Sequence, residues 1–414
     1  MNGQLSRRTL LRAIGAGATL AGTGMFAAAC GSGEPAAPAD PKVVRWWDYT
    51  TDQAPVENML KRFMAENPDI TVERRSIPYD DTKRILLQSA GQGSLPDIVV
   101  VNNPDHQQFA ELGIAEDITD RLKTWGQVDQ YVEAAIGSAT WNGRQYGLPQ
   151  QVNCLALYYN TALLEAANLQ PPTDWASLRS TAKALTAAPR FGLAYSAPNN
   201  QSAVYQWLPT LWQAGGDLDD LRSPAAAKAL QFWVDLMKDG SVSREALNWA
   251  QPDIGTEFGQ QRAAMMINGP FMVPTLKKDA PDVKWNVTTL PMDAGEASCL
   301  GGENYMIIKG GNVDGAWKLL EWTQKPENLV EYLKATGGLP SRADIAGDAT
   351  WADPISQVFV EQLKVARPRA YGTKYPEIAT AVTTAIQSAL TGSTPVDKAL
   401  DTAATAVAPL LPKN

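Results

Sequence analysis

The chain has 414 residues, 44% of them hydrophobic and 19% charged. At roughly 100 to 200 residues per domain, such a length predicts two or three domains, and the composition excludes collagen-like, wholly disordered and polytopic membrane chains. Lys and Arg number 36 against 44 Asp and Glu, a net charge of -8, so no overall field draws the protein to nucleic acid. The single histidine, His106, rules out multi-histidine zinc sites and leaves any histidine relay hanging on one residue. No catalytic residue, metal ligand or cofactor is assigned. Tryptophan is abundant at 13, and its flat apolar face suits both core packing and stacking on sugar rings.

The N-terminus reads as an address. Arg7-Arg8 precede a weakly apolar, Gly- and Ala-rich stretch, residues 13–29, which predicts a signal peptide of twin-arginine type over residues 1–29. Ala27-Ala28-Ala29-Cys30 resembles the bacterial lipoprotein processing site, with Ala27 where Leu is commoner. That resemblance implies lipidation of Cys30. Residues 30–41 carry Gly, Ala and Pro without an aromatic residue and are expected to tether the folded part flexibly to a membrane. The remaining cysteines, Cys154 and Cys299, are too few for a disulfide framework and are read as buried thiols, with a bond between them left open.

Along the rest of the chain, residues 42–47 alternate as a strand, and residues 52–68 follow as a helix with Val56, Met59, Leu60, Phe63 and Met64 on one face. A strand over 70–77, a helix over 80–90 and an apolar strand over 98–101 continue the alternation, which predicts a parallel or mixed sheet with helices on its faces. Ligands in such sheets sit beyond the carboxyl ends of strands. Those ends are Trp47-Asp48-Tyr49-Thr50 and Asn102-Asn103-Pro104-Asp105. An apolar run over 152–159 closes this region. A mostly helical stretch follows to about residue 247, with Thr173 and Ser223 as helix caps. Strands are expected over 263–267, 283–290 and 306–308, and helices dominate the rest.

Several segments in order resemble the solute-binding proteins of sugar-importing ABC transporters, the class of maltose-binding protein: Leu95-Pro96-Asp97-Ile98, Tyr146-Gly147-Leu148-Pro149, Leu157-Tyr158-Tyr159-Asn160, Asn268-Gly269-Pro270-Phe271 and Gly301-Gly302 before a strand. Each is weak alone; the ordered set covers residues 42–410. The resemblance implies an α/β, two-lobed periplasmic-binding-protein fold with a ligand cleft between the lobes. Residues 42–151 plus 302–350 would form the N-lobe and residues 155–299 plus 355–414 the C-lobe, joined by about three hinge crossings.

It also implies a binding site. Trp47, Asp48, Asn102 and Asn103 lie at strand ends, and Gln151 and Asn153 fall on the first crossing. Gly302, Glu303 and Asn304 fall on the second, where missing Cβ atoms let a ligand approach the backbone. Tyr205, Trp207, Phe271 and Tyr371 would offer aromatic faces, with Phe271 where a tryptophan often sits. Arg369 is the one clear cation. Asp48 and Glu303 would accept pairs of sugar hydroxyls. The implied function is a lipid-anchored, monomeric, extracytoplasmic receptor that delivers a neutral oligosaccharide or similar polyol to a permease. A secreted carbohydrate-active enzyme using Asp48 and Glu303, or the same fold binding a glycerophosphodiester or a polyamine, are the alternatives.

Overall fold

The computed structural model describes residues 40–50 and 53–412. The expected signal peptide, Cys30 and residues 30–39 of the tether lie outside the described residues. Asp40 and Pro41, expected in the tether, are instead tied down, because the Asn312 side-chain amide donates to their carbonyl oxygens at 3.3 and 3.1 Å and to that of Val43 at 2.8 Å.

The first lobe is built on a five-stranded sheet. Its strands are β1 (Val43–Asp48), β2 (Thr71–Ser76), β3 (Ile98–Asn102), β4 (Leu148–Asn153) and, far along the chain, β8 (Gly301–Ile307). They lie in the order β2-β1-β3-β8-β4, with β1 parallel to β2 and β3, and β8 antiparallel to β3 and β4. Successive strand residues face opposite sides, so the sheet is buried twice over. Trp46, Ile98, Val100, Tyr305 and Ile307 belong to one core, while Trp47, Val99, Val101 and Met306 belong to another across the sheet. Asp97 stands just before β3 and acts as a staple. Its carboxylate accepts from the Arg45 backbone at 2.7 Å, from the Arg45 guanidinium at 3.1 and 2.8 Å, and from the Asn312 backbone at 2.9 Å. Burial opposes its ionisation, yet these donors outweigh that and hold it below the usual carboxylate range.

The second lobe holds β5 (Ala156–Asn160), β6 (Met265–Asn268) and β7 (Trp285–Thr288), with β5 in the middle and antiparallel to both neighbours. The apolar run expected over 152–159 is therefore two strands in two sheets, with the chain passing from one to the other at Cys154-Leu155. Around this sheet pack α3 (Gln201–Gln213) and α4 (Tyr375–Thr391), with the helices Pro224–Lys238 and Val396–Val407. Two more helices flank the first sheet, α1 (Gln53–Glu66) and α2 (Tyr79–Gln92). Ser223 caps its helix as expected by accepting from the Ala226 backbone. Asp174, not Thr173, caps Trp175–Leu185, in a reciprocal box with Ser177. No helix among the described residues is long and apolar enough to cross a membrane.

A second connection lies beside the first. The Leu155 N–H donates to Ser298 Oγ at 3.0 Å, and that hydroxyl donates to the Leu155 carbonyl at 2.9 Å. Ser298–Cys299 also pairs with Ala366–Arg367. Cys154 and Cys299 are both free and fully buried. Burial pushes the Cys299 thiol up to about 12, offset in part by Arg369.

Candidate functional site

The carboxyl ends of β3 and β4 and the amino end of β8 share one edge of the larger sheet: Glu303 pairs with both Asn102 and Gln151, and Gly301 pairs with Asn153. Two glycines permit this convergence. A Cβ at Gly301 would fall 2.1 Å from Asn153 Oδ1, and one at Gly302, whose φ is 137°, would fall 2.3 Å from the Gln151 carbonyl oxygen. At Gly302 no L side chain fits without displacing backbone, and at Gly301 one would push aside the Asn153 and Tyr205 side chains.

From this edge a polar network runs into the second lobe. Gln151 Nε2 donates to Glu303 Oε2 at 2.6 Å. The Tyr205 hydroxyl, on α3, donates to Asn153 Oδ1 at 2.9 Å. Arg369 Nη2 donates to Asn103 Oδ1 at 3.1 Å and to Asn102 Oδ1 at 3.3 Å, and its guanidinium lies 4.9 Å from the Tyr205 ring centroid. Asn102 Nδ2 in turn donates to the Tyr79 hydroxyl at 2.9 Å. Beside the network opens a cavity of about 370 Å³, walled by Tyr49, Tyr79, Asn102 and Asp105 from the first lobe and by Asn200 and Gln201 from the second. That volume lies in the range of small-molecule sites.

Burial raises the Glu303 carboxyl above its ordinary range, offset in part by Gln151, Arg369 and Tyr49. Buried polar atoms here that lack a protein partner include the acceptors Gln151 Oε1 and Gln201 Oε1 and the donor Arg369 Nε. Arg369 is only 8% exposed and makes no ion pair among those of the described residues. Phe271 is half-buried. Its Cα approaches Gly337 as Gln151 Oε1 approaches Gly338, so the two residues meet one short turn.

Of the residues expected at the cleft, Asn102, Asn103, Gln151, Asn153, Tyr205, Gly302, Glu303 and Arg369 meet in this network. Others are held elsewhere. Asp48 was expected to accept hydroxyls, but Oδ1 takes the Thr50 backbone N–H and Arg74 Nη2, and Oδ2 takes Trp46 Nε1 and Arg74 Nε, at 2.7 to 3.0 Å. All four lone-pair positions are occupied. Trp47 packs in a core beneath the sheet, with Arg75 over its ring at 4.7 Å. Trp207 is 0% exposed in the second lobe's core, because a residue two positions from Tyr205 on a helix faces away from it. Asn304 faces the sheet side opposite Glu303 and donates to Ser138 Oγ at 2.9 Å. The Tyr371 hydroxyl is hydrogen-bonded to Asp217 and its ring stacks on Tyr375. His106 is fully buried with Nε2 3.0 Å from the Tyr146 carbonyl, and burial lowers its pKa to about 4, so it is a neutral packing residue. Among the described residues no group of three His, Cys, Asp or Glu is placed to hold a metal ion.

Tyr79, Lys83 and Asn200 were missed. Tyr79 follows directly from the carboxyl end of β2, so the strand-end argument applied to Asp48 and Asn102 reaches it too. Lys83, one helical turn further along, salt-bridges Asp105 at 3.3 Å. Asn200 was concealed by its other role, capping α3 through Oδ1 to the Ser202 N–H at 2.8 Å.

Two lobes, one interleaved sheet and a polar cavity between them define a binding protein that closes around a small solute. The family of bacterial extracellular solute-binding proteins matches residues 58–357, and the chain belongs to it. A binding protein of Brucella abortus is 26% identical over 380 residues, covering 88% of this chain and 92% of that protein. Among solved structures, an ABC transporter solute-binding protein from Thermotoga lettingae bound with α-D-tagatose superposes with a TM-score of 0.85 at 28% identity, over 90% of this chain and all of that one. The cyclic α-maltosyl-1,6-maltose binding protein of Arthrobacter globiformis gives 0.73 at 27% identity, over 90% and 99%.

Proposed function

We propose that the chain captures a neutral oligosaccharide or similar polyol between its lobes and delivers it, chemically unchanged, to the permease of an ABC importer. It does so as a monomer held outside the cytoplasm by lipid on Cys30. The observation that carries the ligand class is the mixed set of unpartnered atoms, Gln201 on the cavity wall and Gln151 and Arg369 in the network beside it. Gln151 Oε1 and Gln201 Oε1 need donors, while Arg369 Nε needs an acceptor. A hydroxyl serves both needs. A phosphodiester group brings acceptors alone, so in a glycerophosphodiester only the glycerol hydroxyls can serve the glutamines; a polyamine brings donors alone and leaves Arg369 unsatisfied, at about 1 to 3 kcal/mol for each buried group. The sugars named for the Thermotoga and Arthrobacter proteins support the same reading. With Asp48 committed to Arg74, the pair Asp48 and Glu303 cannot act as the two carboxylates of a glycosidase.

The test is a thermal-shift screen of the full chain against mono- and oligosaccharides, glycerophosphodiesters and polyamines, with chromatography of the stabilising compound after long incubation. A saccharide that raises the melting temperature and is recovered intact is expected. Stabilisation by a phosphodiester or polyamine alone, or cleavage of the sugar, overturns the reading. Cys30→Ala is expected to release the protein from the membrane fraction with its affinity unchanged.

A further inference from the structure

We propose that the amino end of α3, Asp80 at the start of α2 and Asp105 just beyond β3 form a polar latch that draws the two lobes together through bonds of the protein's own. Asn200 Nδ2 donates to Asp80 Oδ1 at 3.0 Å, and Gln201 Nε2 donates to Asp105 Oδ1 at 2.9 Å. Both bonds join opposite walls of the cavity, since all four residues line it. Each half is pre-positioned. On the second lobe, the Asn200 oxygen is used in capping α3 at Ser202, which turns its amide nitrogen outward. The Asn200 carbonyl accepts from Thr383 Oγ1 on α4 at 3.0 Å. On the first lobe, Asp105 is only 7% exposed and is charge-paired with Lys83 on α2, while Asp80 sits in the first turn of that helix. Holding both sides in place in advance lowers the entropy lost when the bonds form.

These bonds run from side chain to side chain, so their contribution to closure does not depend on what the cavity holds. A ligand moves the equilibrium only by its preference for the closed form. The latch therefore sets how much of that preference is needed, and it makes Asn200 and Gln201 positioning residues for capture. The proposal takes the capture reading for its purpose, while its test needs no ligand, so a wrong ligand class leaves the result standing.

Spin labels placed by Lys61→Cys on α1 and Lys398→Cys on the helix Val396–Val407, both exposed, report the distance between lobes by double electron–electron resonance. The chain carries Cys30→Ala, and Cys154 and Cys299, at 0% exposure, escape labelling. The dialysed parent is expected to show a dominant short distance. Gln201→Glu with Asp80→Ala, which sets a carboxylate against Asp105 and removes the acceptor for Asn200, is expected to add a longer population. Gln201→Ala, which only removes a bond, should shift the same population by less, with an unchanged melting curve as the check on folding. A parent that shows only the long distance, or variants that superimpose on the parent, would overturn the latch.

Discussion

The end of β1 and the start of β8 carry the same chemistry and put it to different uses. Each places a carboxylate at an edge of one sheet, Asp48 and Glu303, and by sequence either one suits sugar hydroxyls. Asp48 is closed off by its neighbour strand: Arg74 stands on β2 two residues before Ser76, the register partner of Asp48, and its fork, with Trp46 and Thr50, fills every acceptor position. Glu303 faces β3 and β4, which bring it Asn102 and Gln151, neutral amides of which only Gln151 donates to it. One carboxylate is consumed in holding strands; the other keeps capacity for a ligand. A carboxylate's availability is thus a property of its neighbours' donors, not of its position at a strand end.

A related contrast appears two residues apart on α3, where Trp207 is wholly enclosed in the core and Tyr205, packed in the same core, extends its hydroxyl to the network. Trp207→Ala should give the largest effect, a stability loss of about 4 kcal/mol from the cavity left in a packed core, read by chemical denaturation. A variant as stable as the parent would return Trp207 to the cleft. Next, Asp48→Asn should cost about 3 kcal/mol, since it takes the close carboxylate from the Arg74 guanidinium, whose side chain is 12% exposed, and leaves it the longer pair with Glu57 at 3.7 Å. An unchanged midpoint with weakened sugar affinity would reverse the assignment of the two carboxylates.

Glu303→Gln should have the smallest effect on folding and the clearest effect on binding, roughly a 10- to 100-fold loss of affinity by calorimetry, as for a hydrogen bond to a charged group. The pH dependence sharpens this. A carboxyl whose pKa is raised on folding contributes stability that is complete below its unfolded value and is lost as pH rises through the folded one. The variant should therefore gain on the parent as pH rises through the carboxylate range. Parallel pH profiles for parent and Glu303→Gln would mean that Glu303 is solvated rather than desolvated in the folded chain.

The sequence by itself determined the elements and the kind of fold. The apolar run of β3, the helical spacing of α1 and the alternation of strand with helix report local burial, which hydrophobic periodicity encodes directly. It also marked the backbone of the site, because Gly301-Gly302 and the strand-end Asn102-Asn103 are signals carried by a few adjacent residues. Tertiary structure alone decided which side chains remain free to bind. Arg74 is 26 positions from Asp48, and Ser138 is 166 from Asn304, and no local pattern connects them. Residues 202–213 of α3 are all buried, so only the packing around the helix shows that the Tyr205 hydroxyl reaches the network while Trp207 does not. Arg369 joins the network because the chain, after building the second lobe, returns it to Asn102 and Asn103, 267 and 266 positions away. Hydrogen-bond capacity is assigned between residues distant in sequence, so the sequence offers every candidate donor and acceptor while only the folded chain shows which of them are already used.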